Sequence, residues 1–348
     1  MTPQVSVIIP IHNGEPWLKS CFESILHQTA IGEINIEVCV CDDASSDSTA
    51  TLLDEWRLHF EKKNVPFLIH KNATRCPSGV GYAKNRAVSI SSGDYLCFQD
   101  IDDIMLPNRI CSQYTRALRE PSNTILGSQF VRDPPESTQR YTSWANNLEH
   151  DDLNVQIYTS HGPTIIMPTW FCHRLVFDRV GGFVEGAKGT PEDLIFFYKH
   201  LDLSGRIVRV DECLLVYQYH PNAATFSVDE ATIWKLRLER LQRHLCKWTS
   251  FTIWNAGKQG RKFYNSLTGD NRRKVVALCD VNAKLIGGRY VPYCAKTRTT
   301  GRPVPIIHFK DAQPPLVVCV KMDMTDGVFE SNLNSLNLVE GVDYVMFG

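Results

Sequence analysis

A chain of 348 residues with 43% hydrophobic and 22% charged side chains is too apolar for a disordered segment and long enough for two domains of ordinary size. The formal net charge of −1 excludes a uniformly basic surface, no window approaches the roughly 18 successive apolar residues of a membrane span, and the first residues lack a basic stretch followed by a long apolar one. The 12 Cys include no C-x-x-C pair and, without an export signal, read as reduced thiols, so a cytoplasmic location without a membrane partner is expected.

Val5–Pro10 is a β-branched run closed by Pro, followed by the turn His12-Asn13-Gly14 and a helical pattern at Trp17, Cys21, Ser24 and Ile25. Glu37–Cys41 is a second strand; after Asp42–Thr49, residues Leu52, Leu53, Trp56 and Phe60 mark a helix. A third strand at Phe67–His70 leads through Ser78-Gly79-Val80-Gly81 into a helix over Tyr82–Ser91, and a fourth, Tyr95–Phe98, runs into Asp100-Ile101-Asp102-Asp103. Alternating strands and helices with right-handed crossovers predict a mostly parallel sheet whose strand ends share one crevice, and Asn13, Asp42, Asp43 and the Asp100–Asp103 cluster belong to it. Three Asp in four residues repel one another unless donors or a hard cation such as Mg²⁺ or Mn²⁺ neutralise them. Neither a P-loop nor Rossmann spacing occurs near Gly79–Gly81, so a nucleotide must be held in another way.

Together Val5–Pro10 with Asn13, Cys41-Asp42-Asp43-x-Ser45-x-Asp47-x-Thr49, Gly81 with Ala83-Lys84-Asn85, and Asp100-x-Asp102-Asp103 resemble the GT-A glycosyltransferases of family 2. The resemblance implies an α/β nucleotide-sugar-binding domain with a mostly parallel sheet over residues 1–225, transferring one sugar with inversion and using a divalent cation, Mn²⁺ or Mg²⁺. It implies a nucleotide-sugar site of Pro10, His12, Asn13, Glu15, Asp42, Asp43, Gly81, Lys84, Asn85, Asp100 and Glu192, with Asp42 or Asp43 on the uracil or ribose. Asp102 would be the main metal ligand and His220, from Tyr217-x-Tyr219-His220, a further one. Asp193 of Pro191-Glu192-Asp193-Leu194 would be the general base, although the same residues also make an ordinary helix start. The processive branch's Gln-x-x-Arg-Trp element is absent, so single transfer is expected. Two departures stand out: Lys84 where Arg is common, and Gln99 where an apolar residue is usual.

Beyond this, residues 226–249 read as a connecting amphipathic helix, with Leu238, Leu241 and Leu245 on one face and Arg240, Arg243 and Lys247 on another. Residues 250–348 read as a smaller Rossmann-like α/β domain. Its fingerprint, Asn255-Ala256-Gly257-Lys258-Gln259-Gly260, lacks the first Gly, so no NAD chemistry is expected. From Asp229 to Lys310 there are 17 Lys and Arg against 5 Asp and Glu, a surplus of +12 that fits an RNA backbone, with Lys258, Arg261 and Lys262 joining the helix residues as candidate contacts. The whole chain, including Met167–Cys172, resembles galactosyltransferases acting on queuosine in tRNA, which implies UDP-galactose as donor and the wobble nucleoside of tRNA(Tyr) as acceptor. Two other readings stand beside it: N-acetylglucosaminyl transfer from UDP-GlcNAc to a galactose-bearing glycan, and a non-catalytic nucleotide-sugar or RNA-binding module.

Overall fold

The computed structural model describes residues 4–74, 76–186, 188–221, 223–294 and 298–348. The chain forms two compact units, Met1–Asn154 with Pro163–Asp229, and Val155–Gly162 with Glu230–Gly348.

The first unit is built on eight strands: β1 (Val5–Ile11), β2 (Ile36–Asp42), β3 (Phe67–Lys71), β4 (Tyr95–Phe98), β5 (Ile104–Met105), β6 (Thr124–Asp133), β7 (Phe171–His173) and β8 (Arg206–Gln218), in the spatial order β3-β2-β1-β4-β7-β6-β8-β5. The β3-β2-β1-β4 half is parallel, as expected. β7 runs antiparallel to both β4 and β6, β6 and β8 are parallel, and β5 runs antiparallel to β8. Every residue of β1 and β2 is buried, because helices cover both faces of the sheet, and this is why these strands are continuous apolar runs rather than alternating ones. Pro10 sits in a central strand without loss on the β4 side, since the β1–β4 ladder ends at Ile8 paired with Phe98. The chain goes outward from β1 to β3 and returns to β4 on the other side of β1. That reversal opens the sheet at the carboxyl ends of β1 and β4, where the acidic cluster follows Phe98.

The second unit has a six-stranded sheet in the order Arg289–Tyr290, Val304–His308, Val275–Asp280, Phe251–Trp254, Leu316–Val318, Tyr344–Met346, parallel except for its first strand. Trp254, Phe309, Phe329, Leu316 and Val318 fill one side of it. The helix spans Glu230–Leu245, shorter than the 226–249 reading, and packs within this unit rather than standing as a connector. Its buried Arg237 gives Nε and Nη2 to Tyr158 O at 2.9 and 2.7 Å and Nη2 to Phe347 O at 2.7 Å, which ties in the excursion Val155–Gly162. At the degenerate fingerprint, Asn255 adopts φ +125° and accepts Gly257 N–H at 2.7 Å, while Asp280 accepts Ala256 N–H at 2.8 Å and Asn282 N–H at 3.0 Å. Asp280 thus braces its own turn, and Gly260 is required because a Cβ would run into Asn255 O.

Candidate active site

The acidic loop is held from behind. Gln99, fully buried, donates from Nε2 to Asp100 O at 2.9 Å and Asp103 O at 2.8 Å and accepts Arg109 Nη1 at 2.6 Å. Arg109, also buried, donates from Nη2 to Phe98 O at 2.6 Å and from Nε to Gln113 Oε1 at 3.2 Å, and Gln113 passes the chain on to Thr169 O at 2.7 Å. An apolar residue at position 99 could do none of this, so the departure at Gln99 has a structural cause. Its partner Arg109 lies on the helix Arg109–Ala117 and went unnoticed in the sequence.

In front, Asp100, Asp102 and Asp103 each place an oxygen within 4.8 Å of the others. Burial pushes Asp100 up to about 6, with Lys84 working the other way and Asp102 and Glu192 adding to the rise. Burial, then Asp102 and Asp100, hold Asp103 well above the usual carboxylate range. Asp103 Oδ1 accepts Gln218 N–H at 2.9 Å, while Oδ2 is buried without a partner. Asp102 Oδ2 lies 2.9 Å from His220 Nε2, and the His220 ring stacks on Trp17 at 4.8 Å. A desolvated set of oxygens with one orphan and an imidazole beside it fits a divalent cation. Asp100, Asp102 and His220 would hold it, and Asp103, read in the sequence only as part of the cluster, joins them.

The nucleotide-side residues fall into two groups. After β1, Asn13 adopts φ +53°; its N–H bonds Ser45 Oγ at 2.8 Å and its Oδ1 accepts Ser46 N–H at 2.8 Å, while Glu15 accepts Ser48 N–H at 3.0 Å. These bonds stitch the β1 and β2 loops together, and Asp42 Oδ1 adds Ser45 N–H at 3.1 Å. His12 Nδ1 lies 2.8 Å from Asp43 O. Asp43 accepts Ser78 N–H, Gly79 N–H at 2.8 Å and Asn72 Nδ2 at 2.6 Å, so its carboxylate ties Asn72 to Ser78 and Gly79, whereas Asp42 Oδ2 takes no hydrogen bond among the described residues.

In the second group, Gly81 and Asn85 meet the 183–185 segment. A Cβ at Gly81 would strike Val184 O, and Asn85 bonds Phe183 O at 2.9 Å, Glu185 Oε1 at 3.0 Å and Phe183 N–H at 2.8 Å.

Lys84 connects that segment to the start of the helix Glu192–Asp202. Its Nζ donates to Glu192 Oε1 at 2.9 Å with both side chains shielded, and although burial opposes the ammonium, Glu192, Asp100 and Asp193 hold it above its ordinary value. Asp193, at the start of the helix Glu192–Asp202, is pushed up to about 6 by burial and then Glu192, against the pull of Lys84. Removing the ammonium by Lys84→Met therefore raises both Asp193 and Asp100. The acidic limb of the kcat/KM profile moves to higher pH, and stranding Glu192 costs about 3–5 kcal/mol in a thermal melt. An unmoved limb refutes the coupling.

The remaining candidates belong to the second unit. Arg243, Lys247, Lys258 and Lys262 are exposed and Arg240 and Arg261 half-buried. Arg261 Nε donates to Ala256 O at 2.8 Å, and Lys262 Nζ sits 4.0 Å from the Trp234 ring centre.

Comparison with known proteins gives the family and the fold. The profile described as Glycosyl transferase family 2 matches residues 6–181, a little over half the chain, including the acidic loop and Lys84. Glycosyltransferase GlyG of Streptococcus pneumoniae is 23% identical over 227 residues, covering 63% of this chain and 71% of its own. EpsJ of Bacillus subtilis, an uncharacterized glycosyltransferase, is 24% identical over 233 residues, 65% of this chain and 64% of its own. Chondroitin synthase of Escherichia coli is 28% identical over 208 residues but matched over only 26% of its length. Among solved structures, S. aureus TarS 1-349 with UDP-GlcNAc superposes with a TM-score of 0.53 at 18% identity, over 79% of this chain and 78% of that one. At such identity the likeness is one of fold, the α/β GT-A fold with its mostly parallel sheet.

Proposed function

The chain belongs to glycosyl transferase family 2, and on that footing we propose that it moves galactose from UDP-galactose to queuosine at the wobble position of tRNA(Tyr), with inversion. The observation that carries the chemistry is Asp193: a half-buried carboxylate at a helix start, raised to about 6, beside Lys84 and within electrostatic reach of Asp100. A base with its pKa near working pH is both ionised and able to take a proton. As the acceptor oxygen bonds the anomeric carbon, the bond from that carbon to the diphosphate oxygen breaks and the acceptor's proton passes to Asp193. When bound, a divalent cation neutralises the charge growing on the leaving diphosphate. Lys84 keeps Asp193 ionised, and the stitched β1 and β2 loops, with Asp42 Oδ2 open, form the donor side.

The acceptor reading is supported by the +12 surplus from Asp229 to Lys310. Among the described residues no helix is long and apolar enough to cross a membrane. Incubation with UDP-galactose, Mn²⁺ or Mg²⁺ and queuosine-containing tRNA, followed by nucleoside mass analysis, is expected to show one added hexose on queuosine. Unchanged queuosine, with N-acetylglucosamine instead transferred to small galactosides, rejects it for the glycan reading. Replacing Arg240, Arg243 and Lys247 together by Gln is expected to weaken tRNA binding and flatten the slope of log Kd against log salt by up to about 3. A wild-type slope removes this helix from the RNA surface.

A further inference from the structure

Where β6 and β8 end side by side, Arg132 pairs in register with Tyr217 and is walled by aromatic rings. Its guanidinium carbon lies 4.2 Å from the ring centre of Tyr217, 5.4 Å from Tyr141 and Tyr219, and 5.7 Å from Phe130. Its Nε is buried with no hydrogen-bond partner, and among the described residues no carboxylate pairs with it. The contrast with the buried arginines Arg109, Arg209 and Arg237 is sharp, since each of them spends its nitrogens on carbonyl, amide or carboxylate oxygens. Aromatic rings satisfy the faces of a guanidinium, but they leave its N–H edge unanswered, and a partly desolvated cation in that state is costly unless an oxyanion completes it.

The collar stands next to the chemistry. Arg132 and Asp193 both act on the Tyr141 hydroxyl, and Tyr219 precedes His220, which meets Asp102. On its outer side Phe226 is 56% exposed and meets Tyr219 edge-on at 5.6 Å. An arginine fork takes two oxygens of one oxyanion, and a cation among stacked rings with an open aromatic face is the chemistry that grips single-stranded polynucleotide.

We propose that this collar is the acceptor subsite for a polynucleotide: the N–H edge of Arg132 takes a phosphodiester next to the accepting nucleoside, and Phe226 carries a neighbouring base. The proposal rests on the tRNA reading above. A neutral glycan acceptor would leave the guanidinium without its anion.

The test uses the full chain, UDP-galactose and queuosine-containing tRNA, with KM, kcat and the salt dependence of tRNA binding measured for Arg132→Met, Arg132→Lys and Phe226→Ala. Arg132→Met is expected to raise KM for tRNA about tenfold with kcat far less affected, and to reduce the salt slope by about one. Arg132→Lys recovers the slope but not the KM, because a point charge lacks the fork. Phe226→Ala, at an exposed position that cannot unfold the domain, raises KM several-fold and leaves the slope alone. Affinity for UDP stays at its wild-type value in all three. If Arg132→Met fails to fold, the other two variants decide. Wild-type KM and slope in both of them overturn the subsite and leave Arg132 a strut of the aromatic cluster. A wild-type protein that neither binds nor modifies the RNA overturns the acceptor reading itself, and the subsite with it.

Discussion

Asp193→Asn abolishes transfer, lowering kcat by about 10²–10⁴, while UDP-sugar binding survives. The amide matches the carboxylate in size and can still accept Leu194 N–H, which Asp193 Oδ1 holds at 2.7 Å, but it cannot take the acceptor's proton. Folding moves the other way. A carboxyl whose folded pKa lies above its unfolded value stabilises the protein below the unfolded pKa and loses that contribution as pH rises through the folded one, here about 6. The Asn variant, freed of this penalty and of the repulsion from Glu192, melts higher than wild type at pH 7.5 and gains nothing near pH 4. Single-turnover kinetics, calorimetry with UDP and paired melts at the two pH values measure all three effects. A variant that retains wild-type kcat strips Asp193 of its role, and an acidic limb near pH 6 that persists in the variant assigns that limb to another group.

Asp102→Asn removes the carboxylate that meets His220. Losing an outer partner of a metal ligand already costs 10–100-fold in affinity, so losing a direct oxygen donor is expected to weaken Mn²⁺ binding by about 10² or more. Transfer in limiting Mn²⁺ falls in step and recovers in part at high Mn²⁺. His220→Ala, which leaves three carboxylates in place, falls less. Calorimetric titration with Mn²⁺ separates the two, and an Asp102→Asn protein with unaltered Mn²⁺ affinity would remove this residue from the cation site.

The βα alternation was legible because β1 and β2 are buried on both faces and so advertise themselves as unbroken apolar runs. The acidic cluster was legible because it directly follows such a run. What stayed hidden depends on contacts between distant positions. Gln99 looked anomalous, but only the fold brings Arg109 and Thr169 O behind it. Gly81 and Asn85 were read as nucleotide-side residues, and the close approach of Gly81 and the bonds of Asn85 to the 183–185 segment follow from a crossover no local pattern records. Charge counting was similarly blind to burial: Arg237 contributes to the basic surplus, yet it is 3% exposed and spent on carbonyls. The helix expected at Tyr82–Ser91 begins earlier, at Val80, because Gly79 at φ +100° turns the chain there.

Gln99 has one more consequence. It holds the acidic loop by two main-chain carbonyls and is itself held by the Arg109 guanidinium, so none of these bonds involves a carboxylate of the cluster. The loop can therefore gain or lose protons, or have a carboxylate exchanged for an amide, without its frame being redrawn. Form and charge are separately encoded at this spot, so charge-deleting changes in Asp100 and Asp102 report on chemistry rather than on a collapsed backbone.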